Sequence, residues 1–342
     1  MLNSSRIRKC VALLSAVFTV PALAGNIGNA ADPHALFADF QRPAQIPDSK
    51  TNPMTPEKAA LGQMLFFDPR LSGSGTISCA SCHNPALGWG DGLAIGYGNL
   101  GSRMTRHTPT LIDVAFGEPY FWDGRAETLE DQAKGPLMAS KEMDMTVEQA
   151  LARLKSIPGY VDAFNRAFPG REISLDSIAD AIAAYERTIV SKVAPFDRWL
   201  AGDETAISAS AKRGFALYNG KANCAACHSG WRMTDDGFHD IGLAGSDLGR
   251  AAIAPGIPQL EHAFKTPTLR NINQRAPYMH DGSVATLAAV IDHYDHGFLH
   301  RSSLDTQMHP LHLIPAEKED LVAFLNTLTS VDQPAVVPVL PQ

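Results

Sequence analysis

Two short segments hold residues whose types and spacing specify one chemistry. Cys79-Ala80-Ser81-Cys82-His83 and Cys224-Ala225-Ala226-Cys227-His228 share the Cys-x-x-Cys-His pattern. Two thiols at that spacing can add to the vinyl groups of a haem, and the adjacent imidazole then becomes an axial ligand of its iron. A single copy is also compatible with a disulfide or a zinc pair. Two copies in a chain that begins like an exported one point to two covalently bound haem c groups. These would be held by Cys79, Cys82, Cys224 and Cys227, with His83 and His228 on the two irons.

The N-terminus fits that chemistry, because covalent haem attachment takes place outside the cytoplasm. Arg6, Arg8 and Lys9 precede an apolar run from Val11 to Ala24, which reads as a signal peptide over residues 1–24 with cleavage as late as residue 31. Cys10 leaves with it, so the four remaining cysteines all belong to the two motifs. The expected location is the periplasm, with no membrane span after signal removal. The formal charge is −7, and loss of the three leader cations makes the mature chain more acidic. This argues against a nucleic-acid partner.

The elements that must position the two motifs read as helices: Pro56–Phe67, Val147–Lys155, Tyr160–Phe168, Leu175–Val190, Ser208–Tyr218, Thr286–Tyr294 and Ala316–Leu328. No sheet is expected. Lys192 to Ala206 reads as a junction. The expected fold is all-α, with two cytochrome c-like domains each binding one covalent haem c, at residues 32–196 and 197–330, followed by a Pro-rich tail at 331–342.

An internal repeat relates the two halves. Thr108-Pro109-Thr110-Leu111, Pro119-Tyr120, Asp123-Gly124 and Thr128-Leu129 recur at an offset of 158 residues as Thr266-Pro267-Thr268-Leu269, Pro277-Tyr278, Asp281-Gly282 and Thr286-Leu287. The same offset aligns Trp122 with His280 and Pro136 with Tyr294. Proline has no ligand atom, whereas tyrosine can bind iron as phenolate. If these positions overlie the distal haem faces, one iron is open to peroxide and the other is capped by Tyr294. His293 or Met308 are the competing caps.

Phe121-Trp122-Asp123-Gly124-Arg125-Ala126, Gln132-Ala133-Lys134-Gly135-Pro136, Glu142-Met143 and Ala276-Pro277-Tyr278-Met279-His280-Asp281-Gly282-Ser283 resemble the bacterial di-haem cytochrome c peroxidase and MauG family. The resemblance runs through nearly the whole mature chain. It implies a peroxidatic N-terminal haem, Glu142 as general acid/base, Gln132 as a hydrogen-bonding partner of bound peroxide, and Trp122 as the electron relay between haems. His280 and Arg250 are candidates for contact with haem propionates. Tyr294 stands where the MauG-like branch has tyrosine and the peroxidase branch methionine. Asn99 stands where the peroxidase branch has a displaceable distal histidine. The family also implies a calcium ion (Ca2+) between the haems, here through the backbone carbonyls of Arg275 and Pro277, with His107 in place of the family's asparagine. Imidazole is a poor ligand for so hard a cation.

The expected function is a periplasmic di-haem peroxidase-like oxidoreductase. Hydrogen peroxide is its oxidant. Its partner is either a periplasmic protein substrate whose residue is oxidised or a small electron-donor protein, cytochrome c or cupredoxin. The alternative is a non-catalytic di-haem electron-transfer cytochrome.

Overall fold

Thr55 starts the first long helix: its side chain accepts from the Lys58 N–H at 3.2 Å, and Pro56 fills the first helical position. This is a computed structural model. It describes residues 37–331 and 335–342, and the expected signal peptide lies outside them. Its main helices are α1 (Pro56–Phe67), α2 (Cys79–Cys82), α3 (Leu129–Met138), α4 (Val147–Lys155), α5 (Pro158–Ala167), α6 (Leu175–Glu186), α7 (Pro195–Leu200), α8 (Ala209–Asn219), α9 (Leu287–Asp292) and α10 (Pro315–Asn326). One two-stranded antiparallel pairing joins β1 (Phe238–His239) to β2 (Phe264–Lys265), with Phe238 opposite Lys265. It is too short for a period-2 pattern to reveal.

The halves use one packing device twice. Helix α1 crosses α6 with Gly62 against the backbone of Ala181, and α8 crosses α10 with Gly214 against that of Asp320. A Cβ at either glycine would overlap the facing carbonyl oxygen, so only glycine lets the helices approach so closely. Tyr185 and Phe324 lie beside these crossings at matching places. Around them stand two cores. One contains Leu61, Leu65, Phe66, Tyr160, Phe164 and Ile182, and the other Phe196, Phe215, Tyr218, Leu321 and Phe324.

Four segments differ from expectation. Helix α3 carries Pro136 inside it, and Gly135-Pro136 hides the helix from periodicity. The junction segment contains α7, whose Phe196 and Trp199 belong to the second core. Phe40, from the lead-in, joins the same core, 5.4 Å from the Phe215 ring. The C-terminal tail is strapped to the first half: the Pro341 carbonyl accepts from Arg70 Nη2 at 3.0 Å and the Gln342 carbonyl from Gly159 N–H at 3.3 Å.

The halves meet about an approximate twofold. Lys265 N–H donates to the Trp122 carbonyl at 2.8 Å, and His107 N–H donates to the His280 carbonyl at 2.7 Å. These four residues exchange places under the 158-residue repeat. Gly214→Ala should destabilise the protein by about 1–3 kcal/mol, the usual cost of overpacking. Chemical denaturation of the haem-loaded protein measures it, and an unchanged midpoint would contradict the close helix crossing.

Candidate active site

His83 and His228 are each held by a backbone carbonyl. His83 Nδ1 lies 3.1 Å from the Trp89 oxygen, and His228 Nδ1 2.9 Å from the Met233 oxygen. A carbonyl only accepts, so Nδ1 carries the proton in both rings. Nε2 is left with its lone pair for a metal. Burial lowers both imidazole pKa values, which keeps the rings neutral and ligand-ready.

The repeated Thr-Pro-Thr segments brace these carbonyls. Thr110 Oγ1 donates to the Gly88 carbonyl and Thr268 Oγ1 to the Arg232 carbonyl, each at 2.7 Å, one residue before the acceptor for histidine. Thr108 Oγ1 also donates to Asp91 at 2.7 Å. Neither cysteine pair is disulfide-bonded. Burial pushes the Cys82 thiol up to about 11 and Cys224 up to about 12. Thiols so reluctant to ionise make poor zinc ligands.

A cavity of about 920 Å³ runs from the first motif to the interface. Cys79, Cys82 and His83 line it together with Gln132, Pro136 and Glu142, and Trp122 lines it as well. Helix α3 supplies Gln132 and Pro136. Glu142 follows on a segment whose carbonyl accepts from Asn99 N–H at 2.7 Å. Burial raises the pKa of Glu142 and Arg125 opposes the rise. Arg125 is stacked 3.5 Å over Phe121 and bonded to both oxygens of Asp123. Trp122 Nε1 donates to the His107 carbonyl at 2.8 Å, and the indole meets His280 edge-on at 6.5 Å. Asn99 does not line the cavity. Its Nδ2 bonds Asp144 at 3.2 Å.

In the second half, α9 passes into a π-helical turn, His293–Gly297, the kind of widened turn often found at functional sites. The turn carries Tyr294. Its phenol pKa is raised by burial and then by Cys224 and Cys227, which places it near the second motif. His293 Nε2 lies 2.8 Å from the Ile241 carbonyl and is occupied there. Tyr218, buried in the same core, donates to the His228 carbonyl.

The residues present fit haem. Each motif joins two buried thiols to an oriented neutral imidazole. Arg232 Nε and Arg275 Nε are buried without partners, and both residues line the cavity. These suit the two carboxylates that a haem carries. Arg250 and His280 make other contacts. Arg250 Nη1 is spent on the carbonyls of Asp123 and Gly124, at 2.8 and 2.6 Å, and His280 stacks on Phe264 at 3.5 Å. Sequence reasoning passed over Arg125, Arg232 and Glu186. Of these, Arg125 lay inside the quoted Phe121–Ala126 motif, where a cation two residues after a turn aspartate was a usable signal.

No side chain at the expected calcium position suits that cation. His107 Nδ1 donates to the Leu93 carbonyl at 2.8 Å, and the Arg275 side chain lines the same cavity as His107 and Pro277. Neither His107 nor Arg275 offers the side-chain oxygen that a hard cation requires, and a buried guanidinium opposes one.

Comparison with known proteins agrees with this geometry. A family model described as di-haem cytochrome c peroxidase matches residues 56–205, and one described as cytochrome c matches residues 211–329. The chain is 52% identical over 312 residues to the methylamine utilization protein MauG of Methylorubrum extorquens, covering 90% of this chain and 88% of that one. It is 47% identical to the protein of the same name from Methylophilus methylotrophus, covering 89% and 91%. A MauG-like protein associated with microbial copper homeostasis superimposes with a TM-score of 0.78 at 33% identity, covering 85% of this chain and 95% of that one.

Treating the haem-loaded protein with a calcium chelator should leave both haem spectra unchanged. A spectral shift reversed by added calcium would show that the carbonyls of Arg275 and Pro277 hold the cation.

Proposed function

The chain belongs to the di-haem cytochrome c peroxidase and MauG family, and from that premise we propose that it uses hydrogen peroxide to oxidise a residue of a periplasmic partner protein. As a di-haem peroxidase-like oxidoreductase it needs peroxide and a partner that gives up electrons. The observation that carries the finer reading is the inequality of the two sites. The cavity beside His83 is faced by Pro136, while the site of His228 is faced by Tyr294. His83 and His228 would hold the two irons and Tyr294 would cap the second, as in the MauG-like branch.

Bound haem supplies an iron that accepts peroxide and stores oxidising equivalents. The protein's own groups do the rest. With peroxide held in the cavity, Glu142 would take a proton from one peroxide oxygen and return it to the other, which would leave as water. Burial raises its pKa and so strengthens it as a base. Gln132 donates its amide hydrogens to the bound oxygen. Trp122, an oxidisable indole lodged where the halves meet, is placed to relay electrons between them. The basic leader with its apolar run, together with haem attachment outside the cytoplasm, supports the periplasm. Among the described residues no helix is long and apolar enough to cross a membrane.

Glu142→Gln should slow the reaction with peroxide by about 10²–10⁴-fold in stopped-flow mixing while leaving the resting spectra intact. In the wild type the rate should fall toward acid pH as Glu142 is protonated, with a midpoint above the usual carboxylate range, and the variant should lack this limb. A variant as fast as wild type would remove Glu142 from the chemistry.

A further inference from the structure

Glu186 closes helix α6 and is 4% exposed. It lines the cavity with Cys79 and Glu142, and its Oε2 has no hydrogen-bond partner. The adjacent cation does not neutralise it, because Arg187 Nη2 is bonded to Glu130 Oε2 at 3.0 Å. A buried carboxyl oxygen with no partner costs stability, so its retention calls for a reason.

The repeat supplies one. The two glycine crossings place Ala181 opposite Asp320 and Tyr185 opposite Phe324. Thr188 and Thr327 then match as well, each donating its Oγ1 to the carbonyl three residues back at 2.6 Å. By this register the counterpart of Glu186 is Leu325. The half with Pro136 at its iron site carries a carboxyl at this place, and the half with Tyr294 carries an apolar side chain.

We propose that Glu186 is a redox-linked proton site of the first haem, taking up a proton when that haem gains an electron and releasing it when the electron leaves. It lies within electrostatic range of Cys79, the anchor of that haem. Oxidised iron has one more positive charge than reduced iron. A carboxylate nearby favours the oxidised form, and a neutral carboxyl suits the reduced one. The balanced step takes one electron from the partner reductant onto the iron and one proton from solvent onto Glu186. Reduction of peroxide to two waters consumes two electrons and two protons, so this site delivers charge to a buried cavity without leaving it unbalanced. Burial also pushes the Glu186 carboxyl up to about 8, with Arg187 opposing the rise and Glu130 adding to it. The groups around it are Cys79, Glu142, Tyr120, Tyr185 and the Arg187–Glu130 pair.

This rests on the haem assignment of the proposed function. The test is a spectroelectrochemical titration of the haem-loaded protein between about pH 6 and 9, following each haem by its own absorption. In the wild type, the reduced-to-oxidised ratio of the first haem at fixed potential should fall by up to about tenfold per pH unit. Glu186→Gln should flatten this dependence. Glu186→Leu, which reproduces Leu325, should do the same if the glutamine variant folds poorly. Glu142→Gln should keep it, and the second haem should show no change in any variant. A slope that survives both Glu186 substitutions, or vanishes in Glu142→Gln alone, would overturn the proposal. The titration uses no peroxide, so failure of the peroxidase reading would show separately as an unreactive wild type.

Discussion

The hydrogen bond from histidine Nδ1 to a backbone carbonyl is the interaction on which the rest depends. It fixes the tautomer, aims Nε2, and ties the attachment motif to a loop that the Thr-Pro-Thr segment braces. Without it the thiols could still hold a haem at its edge, but the iron would lack a defined axial ligand. The same bond is made twice in one chain and braced the same way in both halves.

Function arises where that symmetry is broken. Pro136 faces one site and Tyr294 the other, and the tyrosine arrives on a helix whose last turn is widened to a π-turn. Glu186 and Leu325 differ in the same sense. At the interface, Trp122 meets its own repeat partner, His280, edge-on, and a matched pair of backbone hydrogen bonds ties each to the other half, Trp122 to Lys265 and His280 to His107. An oxidisable ring thus stands where the halves join. The cations that line the cavity are unequal too. Arg275 packs over Gly88, while the guanidinium of Arg232 fills the space beside Gly117. Arg106 and Arg125 from the first half line the cavity as well, so both halves supply guanidiniums to it.

Much of this was legible in the sequence because the chemistry is local. Cys-x-x-Cys-His carries the attachment chemistry in five residues. The gapless repeat exposed the contrast between Pro136 and Tyr294, and Gln132, Glu142 and Trp122 all line one cavity with His83. What escaped depended on distant neighbours. Glu186 reads as one more helix acid until α6 packs its end into the cavity. Arg250 looked as available as Arg232, yet it is bonded to two interface carbonyls. Helix α3 was hidden by its own Gly135-Pro136. Phe40 and Phe196 joined the second core through ring contacts that no spacing announces.

The inequality of the two iron sites is read out by the electron paramagnetic resonance spectrum of the oxidised, resting, haem-loaded protein. The account predicts one high-spin ferric signal from the His83 site and one low-spin signal from the His228–Tyr294 site, in equal amounts and without prior reduction. Two low-spin signals and no high-spin iron would contradict it.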